Sequence, residues 1–164
     1  MSKAIGSSGG LSRFDLYLVR TTADMDEVLS VRRCVFIEEQ GVPEDLEIDV
    51  HDADPATVTT AMHVLVRLSG APIATGRLLL TPDEEGRVHI GRVAVLAEHR
   101  HRGLGRTVMS ALHDLARERG ISGLTLAAQT HAIGFYERLG YVLRPGDVFL
   151  DAGIEHRWMD IDLA

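Results

Sequence analysis

A single cysteine, Cys34, stands in 164 residues. An internal disulfide framework is therefore excluded, and a reducing, cytoplasmic setting is expected. No apolar run in the chain approaches the ~20 residues of a membrane-spanning helix. The formal net charge is −7, which argues against general nucleic-acid binding and makes any basic patch a local matter. The 8 histidines include no His-x-x-x-His pair, and a lone cysteine cannot complete a zinc site, so no metal is expected. Asp49-x-x-Asp52-x-Asp54 lacks the glycine and the terminal glutamate of a calcium loop. Residues 14 onward contain no repeats, linkers or low-complexity tracts. Met1 to Gly10 is Ser/Gly-rich without an apolar h-region, so residues 1–13 are expected to be a flexible leader and 14–164 a single domain.

Apolar residues make up 45% and charged residues 25% of the chain, the balance of a soluble globular protein long enough to bury a core without staples. The organising stretch is Arg92 to Met109. It starts as a β-branched strand (Val93, Val95), crosses a polar turn and enters a helix at Gly103-Leu104-Gly105. Leu104, Val108, Ala111, Leu112 and Leu115 share one face of that helix, and Arg119-Gly120 ends it. A strand, a glycine-rich turn and a helix N-terminus aim several backbone N–H groups at one spot, where the helix dipole favours an anion. Arg100, Arg102 and Arg106 add positive charge around it. The turn is thus a phosphate cradle, against the alternative of an ordinary βα turn with basic decoration. A Walker run is absent, and Val108 stands where a dinucleotide fingerprint would place its third glycine.

Along the chain, Phe14 to Arg20 alternates as a strand. Thr21 or Thr22 caps a helix with Asp24, Asp26 and Glu27 in its first turn and Val28, Val31 and Val35 on its apolar face. Cys34 beside that face reads as a small core residue. Glu38 to Pro43 closes the helix and opens an acidic segment to about Asp54. That segment is either solvated surface or a lure for a cationic substrate at a cleft mouth. Thr59–Leu68 and Ile73–Leu80 form a hairpin about Ser69-Gly70-Ala71-Pro72, and Arg87–Val95 extends it to a meander. After the cradle helix come the parallel strand Ser122–Ala127, a helix over Thr130–Leu139, and strands at Tyr141–Leu150 and Glu155–Asp162.

Arg100-His101-Arg102-Gly103-Leu104-Gly105 resembles the pyrophosphate loop of the GNAT superfamily of N-acetyltransferases. The order of elements over 14–162 resembles the GNAT fold: an α/β mixed, mostly antiparallel twisted sheet with helices on both faces. Arg32-x-x-Val35-Phe36-x-x-Glu39-Gln40, Ile90-Gly91-Arg92-Val93, Leu126-x-Ala128-Gln129, Phe135-Tyr136-Glu137-x-x-Gly140-Tyr141 and Phe149 to His156 are similar to the ElaA/YjcF-like bacterial subgroup. The resemblance implies that the strands Arg87–Val95 and Ser122–Ala127 begin adjacent and splay apart. Val93, Ala94 and Val95 would then border the pantetheine arm of acetyl-CoA, and Arg100, His101, Arg102, Gly103, Leu104, Gly105 and Arg106 its diphosphate. Gln129 and His131 stand where many members carry a CoA-orienting asparagine. Tyr136 matches the family's general acid beside the CoA sulfur, or is a core aromatic.

Acetyl transfer also needs a base. His89 shares a face with Gly91, Val93 and Val95 by the two-residue period of strands, and a near-neutral imidazole can accept an ammonium proton; it is equally a partly exposed strand-start histidine. His63 and Glu39 are rivals, and His156 could line an acceptor pocket. His99, His101 and His113 read as surface. The expectation is an acetyl-CoA-dependent N-acetyltransferase acting on a primary amine in a ternary complex. A GNAT-fold CoA sensor without turnover and a nucleotide-binding regulator are the alternatives. The exposed edges of a mixed sheet permit a homodimer.

Overall fold

The computed structural model describes residues 4–8 and 14–164. Strands β1 (Ala4–Ser8), β2 (Phe14–Leu18), β3 (Ala61–Leu68), β4 (Ala71–Leu79), β5 (Val88–Val95), β6 (Gly123–Gln129), β7 (Val142–Leu143), β8 (Phe149–Asp151) and β9 (Ile154–Asp162) form one sheet. Its order is β1-β2-β3-β4-β5-β6-β9-β7, with β8 also paired to β9. Helix α1 (Thr22–Arg32) continues as a π-helical turn, Arg33–Glu39; α2 (Glu44–Glu47) is one turn; α3 (Leu104–Glu118) follows β5, and α4 (Ile133–Arg138) follows β6. The paired strand β1 stands inside the stretch expected as a leader; the remainder of 1–13 lies outside the described residues.

Local chemistry accounts for the element ends. Thr21 caps α1 by accepting from the Asp24 amide at 3.1 Å. Ser69 and Gly70 both take positive φ (49° and 85°), the pair of left-handed residues that a two-residue hairpin needs. The β3–β4 turn is therefore tighter than the expected Ser69–Pro72. The expected strand Tyr141–Leu150 is broken into β7 and β8, because Pro145-Gly146 intervenes and Gly146 sits at φ 143°.

The helices pack on opposite faces. Leu104, Val108, Met109, Leu112 and Ala116 of α3 bury against Val64, Val66, Leu78, Ile90 and Leu124 of the sheet. Met25 and Val28 of α1 pack on Leu65, and Val31 and Val35 pack on Ala94, on the other side. The wider π turn keeps Val31 and Val35 inward but turns Cys34 to solvent beside Glu38, so Cys34 is not the core residue expected. His113 corrects the surface reading in the opposite sense. It is buried on α3, and its Nε2 lies 2.8 Å from the Tyr141 hydroxyl.

Gly76 of β4 sets how closely α3 approaches. A Cβ there would lie 2.5 Å from Val108 Cγ1 and 2.9 Å from Leu112 Cδ1, and both side chains are fully buried. Gly76→Ala is expected to lower stability by about 1–3 kcal/mol through overpacking. Thermal unfolding with an unchanged or raised midpoint would show that α3 yields instead.

Candidate active site

One irregularity in β5 opens the sheet. Arg77 pairs with Gly91 and Thr75 with Ala94, so the single residue Gly76 opposes both Arg92 and Val93. This is a β-bulge, with Arg92 held at φ 53°. The extra residue turns β5 away from β6. Their parallel pairing is confined to Val88↔Leu124 and His89↔Thr125, and the strands separate beyond it. A cleft of about 1120 Å³ fills the gap and is lined from both faces of the sheet.

The open edge of β5 follows from strand alternation. Leu96 N–H bonds Ile73 O across to β4 at 2.9 Å. Successive residues point their peptide groups to opposite sides, so Val93 and Val95 direct N–H and C=O into the cleft. The bulge also overturns the shared face expected for His89. Val93 and Val95 pack with the α3 core, as do Val88 and Ile90. His89 lies between the latter two and therefore faces the α1 side. His89 and the Val93–Val95 edge meet only because the cleft passes through the sheet.

Ala97–His99 is a 3-10 turn, His101 sits at φ 63°, and Gly103 at φ 78° is the N-cap of α3. The first bond of that helix is Thr107 N–H to Gly103 O, which leaves the amides of Leu104, Gly105 and Arg106 without intrahelical partners. The Arg100 amide is used within the 3-10 turn, where it bonds Ala97 O, so the amide cradle is narrower than Arg100 to Arg106. Gly105 lets α3 approach α4: a Cβ there would stand 3.1 Å from Phe135 Cζ. Arg102 and Arg106 are exposed. The Arg100 side chain instead bonds Val95 O at 3.0 Å and both oxygens of Glu39 at 2.6 Å. Gln129 reaches across the cleft to Gln40, donating from Nε2 to Oε1 at 2.7 Å.

From Glu47 to Asp52 the acidic segment is neither plain surface nor a free lure. Arg32, 1% exposed, bonds Glu47 Oε1 at 2.8 Å and Asp52 Oδ1 at 2.6 Å. Arg77 Nη1 bonds Asp49 Oδ1 at 2.8 Å and Asp52 Oδ1 at 3.2 Å. Arg92, on the bulge, donates to the carbonyls of Glu47 and Leu46 at 3.2 and 3.3 Å. Arg32, Arg77 and Arg92 thus balance Glu47, Asp49 and Asp52 charge for charge. Burial alone would raise the Asp52 pKa, but hydrogen bonds and charge from Arg32 outweigh it and hold it at about 2. Burial is the largest influence on Glu47 and leaves its pKa raised.

Tyr136 of α4 lines the cleft, and burial pushes its phenol up to about 12. His89 also lines it, 3.8 Å from Asp83 and edge-on to Trp158. Burial lowers the His89 pKa. Gln129, His131 and His156 are on the cleft wall. His99, expected at the surface, is half-buried there. His63 is not. It lines a separate hollow of about 310 Å³, bonds the His51 carbonyl through Nε2 at 3.1 Å, and is lowered to about 4, chiefly by burial. Sequence reasoning passed over Trp158 and gave Phe149 no role beyond the tail motif; their rings stack at 5.2 Å, with His156 stacked on Phe149 at 5.8 Å. The alternation His156, Trp158, Asp160 along β9 was the available signal.

The sequence profile of the acetyltransferase (GNAT) family matches residues 25–141. The uncharacterized N-acetyltransferase YjcF of Bacillus subtilis (strain 168) is 34% identical over 142 residues, covering 87% of this chain and 95% of its own. An acyl-CoA N-acyltransferase from Pseudomonas aeruginosa superposes with a TM-score of 0.75 at 28% identity, covering 90% of this chain and 99% of its own. Escherichia coli ElaA superposes with a TM-score of 0.76 at 25% identity, covering 93% and 100%.

The buried ion network generates a stability prediction. The Asp52 pKa is lower in the folded protein, about 2, than its ordinary unfolded value of ~3.9. Its stabilisation is therefore fully present above pH ~4 and is lost as pH falls toward about 2. Asp52→Asn, which leaves Arg32 and Arg77 half-paired, is expected to cost about 3 kcal/mol at pH 7. Its stability should also fall less steeply than the wild type's below pH 4. Denaturant unfolding at pH 7 and pH 3 checks both; equal curves for the two proteins would contradict the network.

Proposed function

The chain belongs to the acetyltransferase (GNAT) family of N-acyltransferases, and from that premise we propose that it transfers an acetyl group from acetyl-CoA to a primary amine. Transfer is direct, in a ternary complex. The observation that carries the donor assignment is the open β5 edge leading to the unpaired α3 amides. The Val93 peptide group and the Val95 N–H offer a strand-like arm its backbone partners, and the N-terminus of α3 with Arg102 and Arg106 offers the diphosphate its charge. A single exposed cysteine, Cys34, fits a reducing cytoplasm.

In the reaction the amine nitrogen forms a bond to the thioester carbonyl carbon, the C–S bond breaks, and the departing thiolate takes a proton. Tyr136, a phenol protonated at neutral pH and the more so with its pKa pushed up to about 12 by burial, donates toward that sulfur. His89 has a depressed pKa and is therefore neutral at pH 7, free to take the ammonium proton directly or through water. His63 is separated from the cleft and is bonded to the His51 carbonyl, which leaves His89 the better base.

Calorimetric titration with acetyl-CoA, run beside ATP, tests the donor: micromolar binding of acetyl-CoA alone is expected, and equal binding of ATP would favour the nucleotide regulator. In a thiol-release assay over an amine panel, Tyr136→Phe is expected to lower kcat about 100-fold while leaving CoA affinity unchanged. A CoA sensor predicts no turnover by the wild type. The acid limb of kcat should lie below pH 6.5, since the lowered pKa of His89 keeps the base form present down to there. It should vanish in His89→Ala, and its persistence would assign the limb to another group.

A further inference from the structure

Arg100 is committed twice. Its Nε–H donates to the Val95 carbonyl at 3.0 Å, on the edge of β5 that faces the cleft, and its terminal nitrogens grip Glu39 Oε1 and Oε2 at 2.6 Å each. The guanidinium fork matches a carboxylate and a phosphate by the same two-point geometry, so the Nη1–Nη2 pair that grips Glu39 cannot also grip a phosphate by two points. Glu39 closes the π-helical turn Arg33–Glu39 and lines the same cleft. The neighbouring carboxylates Glu47, Asp49 and Asp52 are held by Arg32, Arg77 and Arg92. Among the described residues, the salt-bridge partner of Glu39 is Arg100, which stands at the start of the turn that leads into the α3 amides. Both partners are partly exposed, 34% for Arg100 and 40% for Glu39, so the bridge can be exchanged without opening the core.

We propose that Glu39 stands in for the donor's diphosphate in the free protein: donor binding moves Arg100 from Glu39 to phosphate and unmasks the Glu39 carboxylate in the cleft. The inference rests on the CoA assignment above. It orders the use of Glu39, because that carboxylate becomes free to hold an acceptor's ammonium group only after the donor is seated. It also names the acceptor's complementary feature, a cationic amine presented beside the donor.

The test compares wild type with Glu39→Gln, using CoA and pantetheine as probes in calorimetry. Removing the competing charge is expected to tighten CoA binding about three- to fivefold, the scale of an exposed ion pair. Pantetheine, which lacks the diphosphate, should bind both proteins equally. Unmasking has its own readout. Arg100 holds the Glu39 pKa below its ordinary value, and losing Arg100 lets it rise. At pH 5 the wild type should therefore take up more protons on binding CoA than Glu39→Gln does, as read from buffers of different ionisation enthalpy. CoA binding by folded Glu39→Gln that is equal or weaker overturns the exchange, as does equal tightening of pantetheine. Equal proton uptake overturns the unmasking. Glu39→Ala serves if the glutamine variant does not fold. Failure of CoA to bind either protein removes the CoA assignment itself, an outcome distinct from the others.

Discussion

A left-handed arginine in the middle of a β-strand holds this structure open. Arg92 at φ 53° is in a conformation that costs a non-glycine residue of order 1–3 kcal/mol and persists only when its surroundings fix it. Here they do. The guanidinium is anchored to the carbonyls of Leu46 and Glu47 and lies beside the Glu47 and Asp49 carboxylates. Remove the bulge and β5 would continue alongside β6, closing the edge at Val93 and Val95.

The anchor is itself held from below. Glu47 and Asp52 are bound by the buried Arg32 of α1, and Asp49 and Asp52 by Arg77 of β4. Desolvating so many charges consumes much of what their attraction returns, so the network is better understood as a positioning device than as a source of stability. It fixes the acidic segment over the sheet, fixes the bulge through Arg92, and leaves the cleft reaching both faces. The α3 amides, Val93, Val95 and Tyr136 then sit on one side and His89 with the Trp158 wall on the other.

Much of this was legible in the chain. The glycine turn into α3, the α3 face, the meander and the parallel strand after α3 follow from periodicity and glycine placement, because those signals are local. Arg32, Glu39 and Gln40, and Ile90 to Val93, were marked by family resemblance, but their physical roles were hidden. A bulge depends on register between two strands, and period-two counting carried His89 onto the wrong face. Cys34 and His113 were misplaced for a related reason. A widened helical turn and a buried hydrogen bond to Tyr141 are tertiary facts that an ideal helical period does not contain. The acidic segment misled because its partners, Arg77 and Arg92, lie far along the sequence.

The central claim is that the bulge leaves the Val93 peptide group and the Val95 N–H without a strand partner, to receive the donor as an added strand. Residue-resolved amide hydrogen exchange, with and without saturating acetyl-CoA, tests it most directly. Fast exchange at Val93 and Val95 in the free protein and strong protection in the complex is the predicted result, with Ala94, which faces β4, protected in both. Slow exchange at both amides before donor is added, or no change on saturation, would contradict it.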